Sequence, residues 1–257
     1  MNREMIWFFL LQSNIFLKLS FFFYFLSFFI YIYFTISKKY KYLPILSLLG
    51  GWFFNTLLII NYWILYESFP AFTFHQKLIF FLWTIILFYL ILEIQIKFRL
   101  LGIIFSLFSI FLILISLNFY DAKVYPPFWK ESLCSAFEIL TSGFLLISFF
   151  FSFLYLIFPE TREPRGHWLN LKNLNFVLYL NRFVNISLIM LFSTMFLNLF
   201  LKEDTLWKLN LKNEIVLLFG ILYMFSFHLK NFERWQGKRL AWVIVIGSLI
   251  IITLNFI

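Results

Sequence analysis

Few residues in this chain have the chemistry for catalysis or ligand binding. There are three histidines, His75, His167 and His228, and one cysteine, Cys134. No two histidines stand at a ligand spacing such as i, i+4, which argues against a zinc or di-iron site. His228 lies where the apolar run IVLLFGILYMFSF gives way to the basic stretch HLKNFERWQGKR. A neutral imidazole within a membrane span can ligate haem iron axially, its other nitrogen oriented by an acceptor. The simpler alternative is a polar side chain reaching the membrane interface beside Lys230. Residue types alone leave both readings open. A single cysteine excludes an internal disulfide or a thiolate cluster and is silent about redox compartment.

Other polar residues sit inside apolar runs. Glu138, in SLCSAFEILTSGFLL, would cost about 2.5–3.5 kcal/mol at the centre of a span, so it is expected to face protein or water. Arg182 reads as an anchor at the interface, and Asn55 and Thr56 as hydrogen-bonding groups between helices. There is no nucleophile with an adjacent base and no pair of carboxylates in a cleft pattern, so the residues make no case for an enzyme.

The elements that must position these residues are membrane helices. At 257 residues and 63% hydrophobic content, the chain has more apolar surface than a soluble core of this length can hide. The fold class expected is all-α, a polytopic helical bundle in the membrane. The 41 Phe carry no individual weight, because Phe, Leu and Ile are near-equivalent toward lipid. A crossing helix needs about 20 residues, which places about eight spans near 15–36, 43–64, 77–95, 100–118, 132–158, 175–200, 212–229 and 240–257. Met1 to Leu17 reads as a leading segment that is retained. The net charge of +9 is spread over loops, which fits membrane orientation and not nucleic-acid binding. Lys and Arg are richest in loops 37–42, 96–99, 159–174 and 230–239, so positive-inside places both termini outside the cytoplasm. Outside loops such as YDAKVYPPFWKES carry Trp and Tyr suited to interfacial belts. The expected organisation is a single membrane domain, 1–257, in a bacterial inner membrane or an organellar equivalent.

Taken in order, several stretches resemble the cytochrome c assembly family, the haem-handling membrane protein of system II cytochrome c biogenesis. Asn55-Thr56, Pro70 and Trp83 stand where the family has a His-Thr pair, a Pro-led outside loop and a helix with a Trp near its start. The histidine is here an asparagine. YPPFWKESLCSAFEILTSGFLLISFFFSFLYLI is similar to the segment leading into a haem-ligating helix, with Cys134 near the ligand position. Tyr179 and Arg182 match a Tyr-Arg-led helix. Trp207 is the single tryptophan of the stretch that forms the haem platform in full members, and of that platform's closing motif only Lys212 is retained. After His228 come Arg234, Trp235, Gly237, Lys238, Arg239, Ala241 and Gly247, similar to the family's basic turn and closing span.

The resemblance covers roughly 40–257 and rests on order and spacing, since each motif alone is weak. It implies a haem-handling or accessory component of cytochrome c maturation with a reduced haem site, because only His228 matches one of the family's four ligating histidines. It implies haem contact at His228, with Trp207 and Cys134 as further candidates. The implied partners are the lipid bilayer, other maturation membrane proteins and apocytochrome c. The shorter HemX-like branch, associated with control of haem synthesis, is also similar. That likeness implies a non-haem scaffold, docking a soluble cytoplasmic partner through the basic loop 230–239.

Overall fold

The computed structural model describes residues 3–37, 42–96, 99–119, 129–157, 176–201, 218, 220–221 and 238–256. Within them the chain is helical: α1 Arg3–Ser37, α2 Leu43–Tyr66, α3 Phe74–Ile96, α4 Arg99–Asn118, α5 Trp129–Ile157, α6 Phe176–Leu201 and α7 Lys238–Phe256. Six helical stretches are long and apolar enough to cross a membrane: Leu10–Ser37, Leu43–Tyr66, Phe74–Ile94, Leu101–Asn118, Trp129–Ile157 and Arg239–Phe256. This is the pattern of a multi-pass membrane protein, with six such helices among the described residues where eight spans were expected. At the sixth expected span lies α6, whose described side chains include the apolar stretch Asn185–Leu197. The seventh, 212–229, lies outside the described residues apart from Leu218, Gly220 and Ile221.

The first helix begins earlier than the apolar run suggests. The first span is expected to start near 15, after Gln12 and Asn14, yet α1 passes straight through them. Its buried positions show why. Ser13, Leu17, Ser20, Tyr24, Ser27, Tyr31 and Phe34 are all buried and are spaced alternately four and three apart, the seam of a helix that packs lengthwise on its neighbours. Serine recurs every seventh residue at 13, 20 and 27. Small side chains at such positions let helix backbones approach closely in a lipid environment.

By its contacts the chain forms two compact units, Met1–Ala136 and Phe137–Ile257. In the first, α1 packs on α2 and α4, and α3 packs on the same two helices. The four helices close in chain order, with α1 and α3 on opposite corners. Pro44 sits in the first turn of α2, where its missing N–H costs nothing. Glu67 caps the far end of α2 in the left-handed conformation, φ 52. Thr73 and Gln76 then start α3 as a reciprocal capping pair: Gln76 N–H donates to Thr73 Oγ1 at 3.2 Å, and Thr73 N–H donates to Gln76 Oε1 at 3.4 Å.

The second unit is held by hydroxyl pairs. Thr141 and Thr194 join α5 to α6 at 3.3 Å, and Ser148 and Ser187 do so at 2.9 Å. Asn255 of α7 donates to Ser142 Oγ at 2.9 Å and to the Glu138 carbonyl at 3.2 Å.

Glycines permit the closest approaches in the first unit. A Cβ at Gly51 would lie 2.6 Å from Tyr24 Cε1, and one at Gly50 would lie 2.7 Å from Phe23 Cδ1. Gly51→Val is expected to lower stability by about 1–3 kcal/mol through overpacking, measured as a reduced unfolding midpoint in detergent. Combining it with Tyr24→Ala should recover part of the loss. Absence of any recovery would show that the ring of Tyr24 is not what the valine meets.

Candidate functional site

The interior of the first unit carries its polar side chains in three levels. The first lies where α2 gives way to α3. Asn61 Nδ2 donates to Ser13 Oγ at 2.8 Å. Beside it, His75 is 3% exposed, with Nδ1 2.8 Å from the Ser116 carbonyl and Nε2 3.0 Å from Tyr62 Oη. A carbonyl can only accept, so this geometry assigns the proton to Nδ1 and makes Nε2 the acceptor for the Tyr62 hydroxyl. One imidazole thereby ties α2, α3 and α4 together. The expected span 77–95 leaves His75 in the loop before it, whereas the capping pair Thr73–Gln76 brings it into the first turn of α3.

The middle level is built around Asn55, which is fully buried. Its Nδ2 donates to the Ile79 carbonyl at 3.3 Å. Ser20 donates to the Gly51 carbonyl at 3.2 Å. On the neighbouring face Thr56 donates to the Trp52 carbonyl at 2.9 Å and accepts from Trp83 Nε1 at 2.8 Å. The Trp52 and Trp83 rings stack at 5.6 Å, and Phe80 stacks on Trp83 at the same separation. Asn55 and Thr56 thus do the interhelical bonding expected of them.

The third level centres on Glu93, 4% exposed. Tyr31 Oη of α1 donates to Glu93 Oε2 at 2.6 Å across the bundle, and Tyr89 Oη, one turn earlier on α3, donates to the same oxygen. The two hydroxyls are 3.3 Å apart. Gly102 of α4 makes room for them, since a Cβ there would meet the Tyr31 ring and lie 2.6 Å from Tyr89 Oη. An ionisable group buried in a membrane helix is costly and marks function unless its partners are structural. Here two phenols supply charge-capable hydrogen bonds to one carboxyl oxygen.

The residues singled out in the sequence fall elsewhere or outside the described set. His228 and Trp207 lie outside the described residues, as do His167, Lys230 and Arg234. Cys134 is on α5 and 1% exposed. Glu138 is buried in α5 and Arg182 is exposed on α6. A haem ligated at the position of Asn55 does not fit, because that amide is enclosed by protein and engaged with a backbone carbonyl, and an amide is a poor iron ligand. Among the described residues, no three His, Cys, Asp or Glu side chains converge to hold a metal ion. Glu93 was missed. Its signal was a lone carboxylate in the apolar run FYLILEIQI, which the Lys97 that follows makes look like an interfacial residue.

Comparison of the chain with protein-family models, curated proteins and solved structures finds no match.

Replacing Glu93 tests whether the third level is held by the carboxyl group. Glu93→Leu is expected to cost about 1–3 kcal/mol, because two buried hydroxyls lose their common acceptor. Glu93→Gln keeps an acceptor oxygen and should cost less. Thermal unfolding of the two variants in one detergent gives the comparison, and equal losses would count against the tyrosine bonds as the cause.

Proposed function

We propose that this chain is a non-enzymatic accessory component of haem handling or cytochrome c maturation, acting as a membrane scaffold with a reduced haem site. The reading is supported by the order of its landmarks, from Asn55-Thr56 and Trp83 to the closing turn of Arg234, Trp235, Gly237, Lys238 and Arg239. One geometric observation carries its scaffold part. Asn55 stands where the cytochrome c assembly family has a ligating histidine, and it is fully buried with its amide spent on the Ile79 carbonyl. That residue pins α3 to α2, the work of a packing group.

In this reading the bundle completes about eight spans, with both termini on the non-cytoplasmic side of a bacterial inner membrane or its organellar equivalent. His228 is the residue for residual haem contact, and Trp207 and Cys134 are secondary candidates. The mechanism is positional: the helices hold partner maturation proteins, and apocytochrome c, at a fixed place in the lipid bilayer. The burial of Asn55 also favours the HemX-like alternative, in which no haem binds and the basic loop 230–239 docks a soluble acidic protein to tune haem synthesis.

An absorption spectrum of the gently purified protein, oxidised and then dithionite-reduced, with pyridine haemochrome quantification, separates these outcomes. Substoichiometric haem that disappears in His228→Ala, with the protein still in the membrane, is the expected result for residual handling. Haem content unchanged by that substitution would remove His228 as ligand. Reversal of Lys230, Arg234, Lys238 and Arg239 should release a co-purifying partner if the loop is a docking surface. Retention of every partner would overturn the docking role.

A further inference from the structure

The Glu93 cluster differs from the other polar contacts of the first unit in two ways. The bonds of Asn61 to Ser13, Ser20 to Gly51, Asn55 to Ile79, and His75 to Tyr62 and Ser116 each join neighbouring helices. The bond from Tyr31 to Glu93 joins α1 to α3, which stand at opposite corners. The second difference is that two hydroxyls, those of Tyr31 and Tyr89, converge on one atom, Glu93 Oε2. A neutral carboxyl group both accepts and donates, whereas a carboxylate only accepts. Two donors aimed at a single buried oxygen form the arrangement that stabilises negative charge.

The cluster lies toward one end of the bundle, within about two turns of where α1 and α3 finish and α4 begins. Among the described residues, the titratable side chains that face Glu93 are Tyr31 from α1 and Tyr89 from α3. Gly102 and Phe105 of α4 back the two tyrosines, and the opening turns of α2, residues 43–50, carry no titratable side chain. The sequence around these helix ends supplies Lys38, Lys39, Lys41, Lys97 and Arg99, whose positive charge favours an anion at this end. We propose that Glu93 is an intramembrane proton-binding site: it stands as a carboxylate with both phenols on Oε2, and proton uptake from that end of the bundle loosens α1 from α3. Charge-assisted hydrogen bonds are roughly twice as strong as neutral ones, so one proton on the carboxylate weakens both. Tyr89 lies on the same helix as Glu93, and its bond holds nothing between helices. Tyr31 lies on α1, so the weakening of its bond is felt across the diagonal. The proton comes from water, the phenols keep their own and no electrons move. None of the residues named for haem contact takes part, so the site stands apart from the haem reading.

Infrared spectra of the full-length protein in lipid nanodiscs at neutral pH, with Glu93 assigned by subtraction of Glu93→Gln, test the charge. The expected signal is a carboxylate stretch that gives way to a carboxylic acid carbonyl band in Tyr31→Phe/Tyr89→Phe. An acid carbonyl band from Glu93 in the unaltered protein, or an unchanged carboxylate band in the double variant, would overturn the proposal. Should the double variant fail to fold, Tyr31→Phe alone is expected to convert part of the band, and no conversion has the same force. Spin labels at Ile36→Cys and Ile91→Cys, exposed positions on α1 and α3, in a Cys134→Ala background, test the tie between the helices. Their distance distribution is expected to be narrow at neutral pH and to broaden on acidification sufficient to convert the Glu93 band. In Glu93→Gln it is expected to be broad at both pH values. A distribution that ignores acidification, or that responds equally in Glu93→Gln, removes Glu93 as the group that loosens α1.

Discussion

Water cannot satisfy a polar group inside the hydrocarbon layer, and lipid gives apolar helices no hydrophobic reason to choose each other over their surroundings. The first unit is organised by that double constraint. Its helices associate through a repeated device in which a glycine on one helix admits a tyrosine ring from another, and the ring carries a polar head inward. Gly51 admits Tyr24, and Gly102 admits Tyr31 and Tyr89. Close backbone approach and polar pairing are therefore one requirement met by one set of residues. The rest of the interior, from the His75 bridge to the Glu93 cluster, depends on the spacing that these contacts set.

The second unit meets the same constraint more simply. Thr141 with Thr194, and Ser148 with Ser187, are pairs of short side chains, of which Thr141, Ser148 and Thr194 also donate to their own helix backbone. Interhelical pairs of this kind contribute about 0.6 kcal/mol each on average, and losing one partner strands little, because the backbone carbonyl remains.

Much of this was legible in the sequence. A crossing helix is recognised by length and apolarity alone, and the boundaries of α2 to α5 fall within a few residues of the apolar runs. The start of α1 was not legible, because Gln12 and Asn14 are judged by polarity when what matters is the face they occupy. The seven-residue serine period was present to be read, but 41 Phe make every face of every helix hydrophobic and flatten the contrast on which periodicity depends. The interhelical role of Asn55 and Thr56 was readable from residue type and depth. The Glu93 cluster was not, since Tyr31 and Glu93 stand 62 residues apart and only the closure of α4 against α1 brings their corners of the bundle into line. His75 was misplaced because its loop composition outweighed the short Thr73–Gln76 signature that starts the helix.

The serine stripe of α1 carries a geometric obligation. Seven residues fall about 20° short of two full turns of an ideal helix, so a seam kept on that period must coil left-handedly around its neighbours. A strict repeat is also ambiguous, because sliding α1 by one heptad would bring serine against serine again. The partners opposite the stripe are what break that ambiguity. Asn61, Gly51 and Glu93 differ in kind, so Ser13, Ser20 and Tyr31 each fit at one height only. The polar interior therefore works as a vernier for the first helix, and it fixes which of several near-equivalent alignments the chain adopts as the helices come together in the bilayer.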